Sequence, residues 1–475
     1  MLKIASAARS SRGVQRSAVE NSRDAAEAIF QRALADCNIE QALERRFEEI
    51  VSDADLDRVR QIRIVAVGKA AAPMLQAMLA LLERRAAVPP GKIAGLLIAP
   101  QCPAALPPGF QFFAGGHPLP NQASIDGARA ALDLLSDVKA PRSLCLFLIS
   151  GGASAMMELP LDPAISLADT IGLYRELVHS GASITEINCV RKHFSAVKGG
   201  RLALAARAVS SLPAVSVLVS DVPPGHLDAL ASGPTLPDTS TVAECREILA
   251  RYHLLPRFPL SVRRFFERDP LPETPRPGSF SARAITLLTS GDLADAACRH
   301  AEALGYHAVI DNTCDDWEYR AAARYLLDRL RDLRRAHPRV CLVSAGEIAV
   351  SLPASSPASQ PGCAAVAGAH EPAHNPIGLG GRNQQFALYA AGLLGPPDAA
   401  TVVLSAGSDG IDGNSAAAGA VLDDQTLGTP TLRAEAEQAL ERFDTSPLLA
   451  RLGAAVVTGP TGHNLRDLRI LLASD

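Results

Sequence analysis

Three short apolar runs stop at turns and hand over to helices, and this repeated handover limits the fold more than any other feature of the chain. "IRIVAVG" (62–68) leads into "GKAAAPMLQAMLALLERR" (68–85), whose alanine and leucine content and 3–4 spacing predict a helix. "LCLFLIS" (144–150) meets "GGASAMM" in the same way, and "PAVSVLVS" (213–220) runs into "DVPPGHLDALASGP". Apolar residues that are continuous rather than alternating imply strands buried on both faces, which parallel sheets with crossover helices provide. In such sheets ligands bind beyond the strand C-termini. The turns that end these runs are therefore where chemistry is expected.

A chain of 475 residues exceeds what one core usually organises, so two domains are expected. The proline- and charge-rich stretch "ERDPLPETPRPGSFSA" (267–282) reads as a linker, after which the pattern restarts with "AITLLTS" (284–290), "AVI" (308–310), "RVCLVSAG" (339–346), "ATVVLSAG" (400–407) and "GAAVVTG" (453–459). The expected architecture is α/β: two Rossmann-like α/β domains with mainly parallel sheets and an active-site cleft between them. Residues 25–266 form the first domain and 283–475 the second, with 351–376 as a flexible surface insertion lacking periodicity. Residues 1–24 read as a disordered extension. Lys3, Arg9, Arg12 and Arg16 precede its first acid, Glu20; a cytosolic tail is the preferred reading, a mitochondrial transit peptide the alternative.

Composition removes whole classes of function. With 48% hydrophobic and 20% charged residues and a net charge of −4, the chain buries large cores and shows no electrostatic footprint for nucleic acid. No apolar run approaches the ~18 residues of a membrane span. A small-molecule protein is expected, with a homodimer left open. The nine cysteines form no CxxC pair and read as buried small hydrophobes of a reducing, cytoplasmic compartment.

Only six of the 46 basic residues are lysine, so a lysine in a glycine turn stands out. Lys69 lies between a strand-ending glycine and a helix, where its ammonium either meets an anion at the helix N-terminus or is merely solvated. "SGGAS" (150–154) offers Ser150, Gly151, Gly152 and Ser154 as an anion cradle, or only a tight turn; it lacks the Gly-Lys-Ser/Thr ending of a P-loop. In "EINCVRKHFSAVKGGRLA" (186–203), Arg191, Ser195 and Lys198 share a helix face and fit phosphate or carboxylate, against a solvated face as the bland alternative. His193 reads as structural. "PIGLGGRNQQFAL" (376–388) sets Gly380 and Gly381 before Arg382 and Asn383, at a predicted helix start already positive, which makes sense if an anion sits there. Acids follow predicted strands: Asp221 after "VLVS", Glu347 after "VSAG", and Asp409 and Asp412 within "SAGSDGIDGNSAAAGA" (405–420). Such hard oxygen donors, with no cysteine or histidine cluster, suit magnesium, with Glu347, Asp409 and Asp412 as candidate ligands. Cations in glycine turns beside strand-end acids are what phosphoryl transfer requires.

In order along the chain, "VGKAAAPM" (67–74), "GGHPLPNQAS" (115–124), "LISGGASAMMELP" (148–160), "EINCVRKHFSAVKGGRLA", "SDV" with "ASGPTLPD" (220–222 and 231–238), "GGRNQQFAL" (380–388), "SDGIDG" (408–413) and "TGPTG" (458–462) resemble the class II glycerate 2-kinases, whose C-terminal part is the MOFRL domain. The resemblance implies ATP-dependent phosphorylation of D-glycerate to 2-phosphoglycerate. It also implies that Lys69 and Arg382 are the active-site lysine and arginine and Asp221 a cleft aspartate. The chain departs from the family at "SDVPPGHLD", "SAGEIAV" and "TGHNLRDL", which touches metal binding and substrate choice. Members of this family have also been labelled hydroxypyruvate reductases, but no strand here leads into the GxGxxG fingerprint a nicotinamide cofactor requires. A kinase or sensor for another small hydroxy acid is the remaining alternative.

Overall fold

The computed structural model describes residues 18–136, 143–207, 210, 212–220, 227–351, 378–462 and 465–474. The predicted apolar runs form strands, and each is buried along its length because helices cover both faces. The first sheet contains β1 (Gln61–Val67), β2 (Ile93–Ala99), β3 (Phe110–Ala114), β4 (Ser143–Ser150), β5 (Ala214–Val219) and β6 (Ala282–Leu288), in the order β3-β2-β1-β4-β5-β6. All five of its pairings are parallel. This is the doubly wound order, whose direction of winding reverses between β1 and β4. The loops leaving those two strands part to opposite sides and leave a crevice at their C-terminal ends.

The run 284–290, expected to open the second domain, instead pairs through β6 with β5 and completes the first sheet. The segment before it therefore carries the chain to the far edge of that sheet.

The second sheet has the order β11-β10-β9-β12-β8-β7, from β7 (His307–Ile310), β8 (Val340–Gly346), β9 (Thr401–Gly407), β10 (Gly419–Asp423), β11 (Ala455–Val456) and β12 (Asp467–Ala473). Here the expectation of a mainly parallel sheet fails. Only β7 and β8 pair in parallel, and the other four contacts are antiparallel. For β9 and β10 the reason is chain length: parallel neighbours need a crossover of about a dozen residues or more, whereas β9 passes to β10 through a glycine-rich loop that holds no helix; β12 then inserts between β8 and β9, antiparallel to both.

The helix Ala18–Asp36 begins inside the stretch read as an extension and packs against the second sheet, not the first. Ala26, Ile29, Phe30 and Ala33 share a core with Val402, Leu404, Val421 and Ile470. Arg23 fastens the helix there, donating to the Val421 carbonyl at 2.8 Å and pairing with Asp423 at 3.6 Å. The same core continues into β1, β2 and β4, so the two domains share buried apolar surface. Among the described residues no helix is long and apolar enough to cross a membrane. The 351–376 insertion lies, apart from Ser351, outside the described residues.

Candidate functional site

Two turns interlock at the reversal point of the first sheet. Gly68, at φ +120°, brings the backbone so close to the next turn that a Cβ there would lie 2.4 Å from Ser150 Oγ. Ser150 Oγ accepts the Ala70 N–H at 3.0 Å, and the Lys69 N–H donates to the Gly151 carbonyl at 2.9 Å. Ser150 is thus a fully buried cap for the helix Ala71–Ala86, which starts with no other side-chain cap. Gly152, at φ +83°, turns under Lys69 and beside His117. These contacts fix the Lys69 backbone and leave its ammonium pointing out of the turn, a third exposed, 3.3 Å from Asp409 Oδ2. Burial and the neighbouring Lys69 charge hold the His117 imidazole below its usual range, hence uncharged at neutral pH.

Asp409 belongs to the other domain. It follows β9, and its second oxygen receives the Ile411 N–H. In register, Asp467 at the start of β12 lies opposite both Gly346 at the end of β8 and Gly407 at the end of β9. One end of the second sheet therefore gathers Glu347, Asp409 and Asp467, and the Lys69–Asp409 contact joins that end to the first sheet's crevice.

Arg382 answers the question its glycine turn raises. Its guanidinium makes two forks, one to Asp467 (2.6 and 3.1 Å) and one to Glu347 (2.9 and 3.1 Å). Burial disfavours the charge, but Asp467 and Glu347 outweigh it and raise the guanidinium pKa. The helix Arg382–Gly392 has its own internal anion: Asp412, 1% exposed, accepts the Asn383 and Gln384 N–H groups at 3.0 and 2.8 Å. Gly381 is needed because a Cβ would fall 2.3 Å from the Asp412 carboxyl carbon, and at Gly380 it would fall 2.4 Å from Thr445 Oγ1. Asn383 is buried in this network and accepts from Ser405 at 2.6 Å. The turn 380–383 is a cradle already filled by the protein's own carboxylate.

The sequence grouping of Glu347, Asp409 and Asp412 as one ligand set is therefore not what the fold builds. Glu347 chelates Arg382, Asp409 faces Lys69, and Asp412 caps a helix. Among the described residues no group of three acids, histidines or cysteines is placed to hold a metal. Asp221 lies outside the described residues.

Burial pushes the Asp412 carboxyl up to about 7, against the two backbone donors that lower it. A carboxyl whose folded pKa exceeds its unfolded value favours the folded state at low pH and withdraws that support as pH rises towards the folded value. Asp412→Asn, which keeps a capping oxygen, is expected to lose less stability than wild type between pH 5 and 8. The difference is up to about 2–3 kcal/mol, read from chemical melts at both pH values; parallel pH profiles would refute it.

The other sequence candidates flank the 150–154 turn. Ser154 Oγ contacts Ser232 Oγ at 2.8 Å, which reaches Asn188 at 2.9 Å, one turn before Arg191 on the helix Ile184–Phe194. Arg191 is 8% exposed, stacks 4.4 Å over the Tyr174 ring, and has no hydrogen-bond or ion-pair partner among the described residues. Lys198 differs. Its fully buried ammonium donates to Glu158 at 2.8 Å and to the Met157 carbonyl at 3.0 Å. An ammonium spent on a buried carboxylate is a structural tie and is not presented to the cleft.

Sequence reading missed Asp467 and His117. Asp467 begins an apolar run instead of ending one, and only the antiparallel insertion of β12 brings it to the same sheet end as Glu347 and Asp409.

A lysine at a doubly wound reversal point, paired across a domain boundary with an acid at the sheet end where Asp467 and Glu347 hold an arginine, is the charge arrangement an α/β phosphotransferase uses. Comparison with known proteins carries this further. Residues 25–267 match a family described as a domain of unknown function (DUF4147), and residues 340–467 match the MOFRL family. The chain is 33% identical over 436 residues to the D-glycerate 2-kinase of Thermotoga maritima, spanning 90% of this chain and 93% of that one. It is 32% identical over 458 residues to an Agrobacterium vitis protein provisionally named hydroxypyruvate reductase, spanning 92% and 95%. The crystal structure of the Thermotoga maritima glycerate kinase superposes with a TM-score of 0.76 at 30% identity, covering 96% of this chain and all of that one. The chain belongs to the MOFRL-type glycerate 2-kinase family.

Proposed function

We propose that the protein transfers the γ-phosphoryl group of ATP to the 2-hydroxyl of D-glycerate, giving 2-phosphoglycerate. The observation that carries this reading is the convergence of Lys69 and Arg382 on one carboxylate-lined boundary between the domains. Phosphoryl transfer needs little covalent help from the protein; it needs positioning and charge neutralisation. Lys69 would neutralise the transferred group, and Arg382, held in place by Asp467 and Glu347, would add its positive charge and the one N–H that those two forks leave over. Arg191, a buried cation with no anion partner among the described residues, is the natural receiver of the glycerate carboxylate.

The residues fit a magnesium ion that arrives on the nucleotide's phosphates and not one held in a protein cage. Such an ion needs only one or two protein carboxylates; Asp409 and Glu347 would provide them. Bound there, it would supply charge neutralisation to the phosphates.

The first sheet has the winding of dinucleotide-binding folds, yet its β1 turn offers one glycine, and that glycine is packed against Ser150. A nicotinamide pyrophosphate finds no cradle there. Incubation with ATP, magnesium and D-glycerate is expected to release ADP and form a product that enolase dehydrates directly. NADH oxidation with hydroxypyruvate, without ATP turnover, would replace this reading by the reductase.

A further inference from the structure

Away from the cleft, the helices Ile184–Phe194 and Val242–Arg251 enclose a cavity of about 410 Å³ lined by Asn188, Cys189, Lys192, Asp238, Ser240 and Ile248, among others. Cys189 is 5% exposed and opens onto this cavity, and Cys245, fully buried on the second helix, packs in the same core. His193, one turn after Cys189, lies with Nδ1 2.9 Å from the Cys189 carbonyl and 4.0 Å from its Sγ. A carbonyl can only accept, so Nδ1 carries a proton. The other nitrogen, Nε2, is buried without a hydrogen-bond partner and faces Glu273 Oε2 at 3.5 Å. A ring between a carbonyl and a carboxylate is best occupied as imidazolium.

Glu247 also lines the cavity, and the other charges around it are already committed. Lys192 pairs with Asp238 at 3.1 Å, Arg251 with Glu186 at 2.7 Å, and Glu244 caps its own helix. His193 is therefore the cation left facing the Cys189 sulfur.

We propose that Cys189 is a peroxide-reactive thiolate and that Cys245 is the thiol that resolves it to an intramolecular disulfide. In the first step the Cys189 thiolate attacks one oxygen of the peroxide, the O–O bond breaks, and sulfenic acid and hydroxide form. In the second the Cys245 thiolate attacks that sulfur, forming the S–S bond and expelling hydroxide, which leaves as water with the proton Cys245 has given up. Cys189 lines the cavity, whereas Cys245 is fully buried behind it, so peroxide reaches Cys189 first and Cys245 resolves it; the neighbouring Cys245 thiol and the His193 imidazole also lower the Cys189 thiol pKa.

Oxidation would tie the two helices together two residues from Arg191. This link to catalysis rests on the reading of Arg191 as a carboxylate contact; the disulfide chemistry does not.

The test uses the full chain and peptide mass mapping. Iodoacetamide labelling of Cys189 is expected to change less than about threefold between pH 6 and 8, while N-acetylcysteine in the same tube gains roughly tenfold per pH unit below its pKa. Hydrogen peroxide should yield a Cys189–Cys245 peptide pair that dithiothreitol removes. In Cys245→Ala, dimedone should trap Cys189 as sulfenic acid with no pair formed; wild-type mapping carries the test if that variant does not fold. Labelling of Cys189 that rises as steeply as the reference, or peroxide that oxidises the exposed Cys102 and leaves Cys189 intact, would overturn the proposal. A disulfide formed with the KM for glycerate unchanged would sink the link to Arg191 alone.

Discussion

Arg382→Lys is expected to lower kcat by about 10²–10³ while shifting the melting temperature by less than about 4 °C. Asp467 and Glu347 hold the guanidinium through two forks on different sides, so its plane is fixed before any phosphate arrives. A lysine ammonium keeps the charge and can satisfy one carboxylate, which protects stability. It cannot span both acids, so the cation is no longer held at one fixed place when the phosphoryl group arrives. Lys69→Arg tests the opposite side of the boundary. Its stem leaves a turn packed beside Gly152 and His117, and a longer planar head would overrun Asp409. A comparable loss of kcat is expected there. Steady-state assays with unfolding curves decide both cases: kcat within severalfold of wild type in both variants would remove these two cations from the transferred phosphate.

The parts of the fold that were legible in the sequence share one physical property. β1, β4 and β5 are buried on both faces by helices, so their sequences are continuous apolar runs ending at turns. The turns after β1 and β4 then mark the crevice, and Lys69 and Gly152 were found there. β2 was not seen because Gly95 breaks its run; that glycine lets the Ile64 carbonyl approach to 2.2 Å of where a Cβ would stand. β12 hid behind "DLRILLA", whose Asp467 and Arg469 alternate with leucine and isoleucine as solvent-facing strand residues would, although both are buried. Asp467 is the instructive loss. The rule that active acids follow strands assumes parallel strands, and in an antiparallel strand the same sheet end holds the residue that starts it. Asp412 misled for a related reason: a glycine-rich loop with two acids resembles a metal site, while a buried helix start consumes one of them. Polarity at a turn is visible in sequence, but the partner that satisfies it is not.

Lys198 shows how far that distinction reaches into stability. By sequence it stood with Arg191 on a face aimed at phosphate or carboxylate; in the fold it is 1% exposed and bound to Glu158, itself fully buried. Tyr174 donates to the same Glu158 oxygen, and the Leu159 N–H to the other. Burial draws the lysine pKa down, and the Glu158 charge opposes that by holding the proton on the ammonium. Lys198→Met leaves that carboxylate uncompensated in the core, which costs about 3–5 kcal/mol when one partner of a buried pair is removed. Adding Glu158→Gln removes the stranded charge and keeps one acceptor oxygen for the Leu159 N–H, while Tyr174 can donate to the Ser154 carbonyl, 2.9 Å away, and accept from the new amide NH2, so the double variant is expected to recover most of the loss. Chemical unfolding of the single and double variants measures the coupling directly. Turnover of the folded double variant should stay within severalfold of wild type, because the ammonium serves the core behind Arg191 and not the substrate. If Lys198→Met instead kept its stability and lost kcat, the ammonium would be a ligand contact after all, and Glu158 merely the group that holds it between turnovers.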